Sequence, residues 1–131
     1  MASIFTKIIN GEIPCNKIAE NEHFLAFLDI SPLTKGHTLV IPKKEVDYIF
    51  DLDEETYLEL WKFSKRVARA IEKAVECRRV VTSVIGIEVP HTHVHLIPLN
   101  VMDDCNFSRP KLSLPQEEMT EIAQKIAQEF V

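Results

Sequence analysis

Between Asp53 and Glu76, Tyr57, Leu60, Trp61, Ser64, Val67, Ala68, Ile71, Ala74 and Val75 recur at spacings of three and four. That spacing lays one stripe along a helix of roughly six turns. Lys62, Arg66, Arg69 and Lys73 fall on its wet side. Asp51 and Asp53 are able N-caps, and Glu54 and Glu55 suit the positive end of the helix dipole. No other segment before the C-terminus carries such a stripe, and this limits the fold. The segments Phe24 to Leu28, Thr38 to Ile41, Val80 to Ile85 and His93 to Pro98 are short, β-branched or aromatic, and bounded by Gly, Pro or Asp. A parallel, doubly wound sheet needs a helix between most of its strands, and here there are too few. The expectation is an α+β domain with a mainly antiparallel sheet and the long helix packed across it.

The remaining pieces fit one domain, residues 1–131. Ile4, Phe5, Ile8 and Ile9 predict a short amphipathic turn ended by Asn10-Gly11. Ser113 with Gln116 is a capping-box pattern for a last helix buried along Met119, Ile122, Ala123, Ile126, Ala127 and Phe130. No repeat or linker interrupts the chain. A net charge of −5 argues against binding a nucleic-acid polymer, which calls for a basic face, but leaves room for one nucleotide in a local pocket. Cys15, Cys77 and Cys105 are far apart and odd in number, so neither a disulfide framework nor a cysteine zinc site is expected. With no signal segment and no apolar run of ~18–20 residues, the sequence predicts a cytoplasmic protein that does not span a membrane.

The chemistry is concentrated in Gly86-Ile87-Glu88-Val89-Pro90-His91-Thr92-His93-Val94-His95-Leu96-Ile97-Pro98. On a strand, residues two apart share a face at ~6.5–7 Å. His91, His93 and His95 are then expected to project together, with Thr92, Val94 and Leu96 on the reverse. Three imidazoles on one face are hard to explain as core, because each buried ring nitrogen needs a partner. Two chemistries suit the pattern. One is a divalent metal held by His-x-His. The other is attack on phosphorus by a neutral central imidazole that its neighbours orient. No third acidic or sulfur ligand stands at metal spacing, and Glu88 is equally a loop residue.

His91-Thr92-His93-Val94-His95-Leu96-Ile97 resembles the His-φ-His-φ-His-φ-φ motif of the histidine-triad (HIT) superfamily, φ being hydrophobic, with Thr92 in the first φ slot. The stretches Ile4 to Pro14, Phe27 to Pro32 and Gly36 to Lys44 resemble further blocks of that family in the same order. The whole is similar to its Hint-like branch of small homodimeric nucleoside phosphoramidases and nucleotide hydrolases. The resemblance implies a HIT-like fold with a five-stranded sheet, one long helix and a C-terminal helix. It also implies a homodimer through the long helix and an edge strand, and no cofactor. His93 is then the nucleophile that takes a nucleotidyl group from a purine nucleoside phosphoramidate or dinucleoside polyphosphate, and water releases it. His91, His95 and backbone N–H groups near Gly86 would hold the phosphate. His37 would support the orientation and tautomer of His93, and Asp29 would bind the ribose hydroxyls. Leu28, Ile30, Phe5 and Ile8 are expected around the base, with Phe27 and Leu39 closer to plain core. Gly86, Ile87, Glu88 and Val94 complete the expected nucleotide contacts.

The chain also departs from the family. The Cys-x-x-Cys and the histidine that bind structural zinc in many members are Ser3, Thr6 and Glu45 here, so that metal site is absent. The usual Gln after the glycine is Ile87, and the Asn eleven residues before the first triad histidine falls on Val80. Those losses keep open a second reading, a nucleotide sensor or scaffold with little turnover. A metal-dependent hydrolase remains a third.

Overall fold

The computed structural model describes residues 2–131. Five strands, β1 (Lys17–Glu20), β2 (Phe24–Leu28), β3 (Thr38–Pro42), β4 (Arg79–Ser83) and β5 (Val94–Leu99), form one sheet in the order β1-β2-β3-β5-β4. Every pairing is antiparallel. Helices α1 (Ile4–Ile9), α2 (Glu54–Ala74) and α3 (Gln116–Glu129) complete the α+β fold. β1 is the strand that no alternation announced. Only Ile18 and Ala19 of its four residues are buried, and its register slips between Lys17 and Ala19.

α2 starts as its sequence requires, with the Asp53 carboxylate accepting the Thr56 N–H at 3.1 Å. Phe63 and Ala70, outside the expected stripe, are buried as well. α3 starts without the expected capping box. The helix begins only at Gln116, so Pro115, which has no side-chain acceptor, occupies the cap position, and the Gln116 amide donates to Asn16 Oδ1 at 2.7 Å and to Thr120.

The helices divide the sheet's two faces. α2 and α3 cover one, where Leu28, Val40, Val94 and Leu96 meet Leu60, Val67, Ile71 and Ile126. The other carries a smaller cluster of Phe5, Leu25, Phe27, Leu39 and Ile41 beneath α1. Cross-strand partners share a face, so the register Phe27–Leu39–His95–Ser83 runs as one row across this second face. The turn into β3 needs Gly36. It has φ +96°, and a Cβ there would lie 3.0 Å from Val75 Cγ2 and 3.2 Å from Pro98 Cγ. That close approach presses the turn against the end of α2 and sets His37 at the head of β3.

Candidate active site

The three motif histidines do not stand in line on one strand. β5 begins at Val94, so His91 and His93 lie in the extended segment before it. Backbone groups fix how each ring is protonated, since a carbonyl only accepts and an amide N–H only donates. His91 Nε2–H donates to the Pro42 carbonyl at 2.8 Å, which leaves Nδ1 to accept the Ser3 hydroxyl at 2.8 Å. His93 Nδ1–H donates to the His91 carbonyl at 2.7 Å. Its Nε2 therefore keeps a free lone pair. The Leu33 N–H donates to His37 Nδ1 at 3.0 Å, so His37 Nε2 carries the hydrogen and donates to His95 Nδ1 at 3.0 Å. His95 is thereby held with its remaining hydrogen on Nε2.

The resulting site is asymmetric. Only His93 presents a nucleophilic nitrogen, and His95, whose ring centre is 5.0 Å away, presents a donor. His37 acts on His95 rather than on His93, which corrects the expected role. His91 is fully buried and orients His93 through its carbonyl, not through its ring. Burial, together with the charge of His95 and of Lys111, lowers His37 to about 3. Burial and His93 lower His95 to about 4. His91 is also lowered, chiefly by burial. At neutral pH these three rings are uncharged, as a pocket for an incoming lone-pair attack requires.

Thr92, the residue that breaks the φ pattern, is buried without cost because its hydroxyl donates to the Val46 carbonyl at 2.7 Å. Ser3, Thr6 and Glu45 do come together beside His91. The Glu45 carboxylate accepts the Ser3 N–H at 2.7 Å and the Thr6 hydroxyl at 2.5 Å. Those two bonds hold its carboxyl down at about 2. This net ties α1 to the loop after β3 and sets Phe5 edge-on to His93, 5.0 Å between ring centres.

Asp29 combines its two readings. Oδ1 accepts the Ser31 N–H at 2.9 Å, a turn contact, while Oδ2 lies 3.7 Å from His37 Nε2. Burial raises its carboxyl above the ordinary aspartate value. Phe5 and Ile8 lie on the triad face, and Ile30 beside Asp29 is 76% exposed. Leu28 and Val94 are corrections, since both side chains sit in the core under α2 on the opposite face. Gly86 has φ +71°, which L side chains rarely adopt, and places the 84–90 loop beside His93. Ile87 and Glu88 on that loop point outward, Ile87 being 85% exposed.

Val80 packs against the core under α2 and cannot face the triad. Ser83 is the β4 residue paired with His95. A polar group therefore does stand beside the triad. Phe107, which no motif marks, packs edge-on against His95 with 4.9 Å between ring centres. Its only signal was an aromatic residue in the polar run Asn106-Phe107-Ser108.

Asp29, His37 and His95 bring possible ligand atoms within 4.8 Å of one another. They do not fit a metal as they stand. His37 Nδ1 is taken by the Leu33 amide and its Nε2 carries the hydrogen bonded to His95. His91 likewise has both nitrogens engaged. The trio His91, His93 and His95 therefore does not offer three free nitrogens to one ion.

An antiparallel sheet with its two long helices on one face, and on the other a histidine cluster in which His93 alone keeps an uncommitted ring nitrogen, defines a small α+β protein built around one imidazole. The HIT domain model matches residues 10–102. An uncharacterized HIT-like protein of Borreliella burgdorferi is 37% identical over 132 residues, covering 95% of each chain. The adenosine 5'-monophosphoramidase of Schizosaccharomyces pombe is 36% identical over 131 residues, 97% of each. Among solved structures, a hypothetical histidine triad nucleotide-binding protein of Sulfolobus tokodaii superposes with TM-score 0.86 at 34% identity, over 96% of this chain and 90% of that one. The chain belongs to the HIT family.

Proposed function

We propose that this protein is a nucleotide hydrolase that transfers a nucleoside monophosphate group from a phosphoramidate or dinucleoside polyphosphate to His93 Nε2 and then to water. One observation carries the reading: His93 Nδ1–H is bound to the His91 carbonyl at 2.7 Å, so the free lone pair is on Nε2, beside the hydrogen that His95 keeps on its own Nε2. The nitrogen–phosphorus bond forms as the bond to the leaving group breaks and its electron pair departs with that group, an amine taking its proton from solvent. His95 Nε2–H and backbone N–H groups of the Gly86 loop stabilise charge on the phosphoryl oxygens. Asp29 Oδ2 takes the ribose hydroxyls, and Phe5, Ile8 and Ile30 flank a purine base. The name of the S. pombe relative supports the phosphoramidate substrate. Ser83 beside His95 favours turnover over the sensor reading.

The chain acts as a single domain over residues 1–131 in the cytoplasm, and no described helix is long and apolar enough to cross a membrane. It works as a homodimer. β4 is a sheet edge, and next to it Tyr48, Phe50 and Ile85 are exposed while Trp61 Nε1 is buried without a partner. A second copy joined along β4 and α2 would cover that surface.

The test is turnover of adenosine and guanosine phosphoramidates by wild type and His93→Ala, with and without EDTA. The expected result is loss of turnover in the variant, nucleotide binding retained, and no effect of chelator. Turnover that survives in His93→Ala would end this reading.

A further inference from the structure

The segment after β5 is tied down over the site. A 3-10 turn at Met102–Cys105 presents the Asp104 carboxylate to the Asn100 and Val101 amides at 2.8 and 3.0 Å. Arg109 pairs with Asp103 and Asp104 at 3.3 Å and donates to the Leu33 carbonyl. The Leu112 N–H donates to the Pro32 carbonyl at 2.8 Å, in the loop that follows Asp29. Between these anchors Phe107 lies edge-on to His95, with His37 6.3 Å away.

Lys111 rides on this strap. Its ammonium donates to the Phe107 carbonyl at 2.6 Å and reaches the Arg109 carbonyl at 3.3 Å. Among the described residues no carboxylate lies within 4.0 Å of it, whereas Arg109 is matched by two. An ammonium has three donors, and two backbone carbonyls use two of them. Its charge is felt at the site, where it partly offsets the rise that burial gives Asp29 and adds to the fall that burial gives His37. It is therefore an unneutralised cation held at the Asp29 and His95 side of the triad by backbone contacts alone.

The histidine chain shows what that cation is suited to. His95 is a hydrogen-bond donor but a poor acid at neutral pH, because it is neutral and His37 cannot resupply it. A proton passed from His37 Nε2 would leave His37 without any hydrogen, since its Nδ1 only accepts from the Leu33 amide. An amine leaving group needs a proton as it departs. A phosphate leaving group needs none, only a positive charge near its oxygens.

We propose that Lys111 is a specificity-determining residue that binds phosphate oxygens beyond the α-phosphorus and so favours phosphoanhydride substrates over phosphoramidates. This rests on the reading of His93 as nucleophile. In the first step the His93 Nε2–P bond forms and the P–O bond to the β-phosphate breaks. The electron pair leaves on the departing phosphate oxygen, with no proton transfer. Water then attacks phosphorus, the N–P bond breaks with its pair returning to Nε2, and the water proton passes to solvent.

The experiment measures kcat/KM for diadenosine tetraphosphate and for adenosine 5'-phosphoramidate with wild type, Lys111→Gln and Lys111→Arg. Loss of one charge-assisted contact should lower the anhydride-to-amidate ratio about tenfold in Lys111→Gln. Lys111→Arg should restore most of it. Lys111 is exposed, so the variants should melt like wild type. A ratio unchanged in Lys111→Gln overturns the proposal while leaving His93 in place. A wild type that turns over neither substrate overturns the reading of His93 and this inference with it.

Discussion

Replacing His37 with leucine should change stability with a sign that depends on pH. At neutral pH the variant leaves the Leu33 N–H buried and unpaired, which costs ~1–3 kcal/mol. His95 Nδ1 loses its donor as well, a second unpaired group of the same kind, while the leucine side chain itself suits the buried site. On acidification the wild type carries a burden that the variant lacks. His37 has an ordinary value of 6.5 in the unfolded chain and about 3 in the folded one. The unfolded state therefore binds its proton first. The stability associated with the neutral ring is full above 6.5 and is lost as pH falls towards 3. Each pH unit in that window costs about 1.4 kcal/mol, so at pH 5 this ring has cost the wild type about 2 kcal/mol. Urea unfolding at pH 7.5 and pH 5.0 reads both numbers. The variant should be weaker at pH 7.5 by ~1–3 kcal/mol for each of these two groups, and the gap should shrink by about 2 kcal/mol at pH 5. A gap that stays constant or widens on acidification would refute the assignment of His37 as a buried neutral ring.

Asp29→Ala should weaken nucleotide affinity by ~1.5–3 kcal/mol and raise KM more than it lowers kcat, because the ribose contact is made equally in ground and transition states. Unchanged affinity by calorimetry would remove Asp29 from the site. Glu45→Ala should speed hydrogen exchange at the Ser3 amide and raise KM, since the carboxylate fastens α1 and with it Phe5. Glu45→Gln, which keeps an acceptor oxygen, should restore both, and exchange unaffected in Glu45→Ala would show that α1 is held by other means. Sedimentation at micromolar concentration should show a dimer, and a monomer would discard the β4 edge as an interface without touching the chemistry.

The helix from Glu54 to Ala74, the last helix and four of the strands were legible because each buries one face and so imposes a period on the chain. β1 was not, because four residues with a register slip leave too little alternation. His93 and Asp29 could be singled out from local pattern and resemblance. The protonation of His95 could not be, since it is set by an amide at Leu33 that donates through His37 from another part of the chain. Leu28 and Val94 were misplaced for a related reason. Motif blocks mark proximity in sequence, while the pleat decides which face a side chain takes, and both fall on the helix side. Ser83 and Phe107 reach the triad through strand register and the strap after β5, neither of which any local spacing encodes.

The proposed reaction begins with attack of His93 on phosphorus. It is tested most directly by quenching wild-type protein during turnover of adenosine 5'-phosphoramidate and mapping the adduct by mass spectrometry at neutral or alkaline pH. A nucleotidyl group should be found on His93, be absent in His93→Ala, and form equally in the presence of EDTA. An unmodified His93 together with activity that chelator abolishes and zinc restores would contradict the account, because the nucleophile would then be a metal-bound hydroxide.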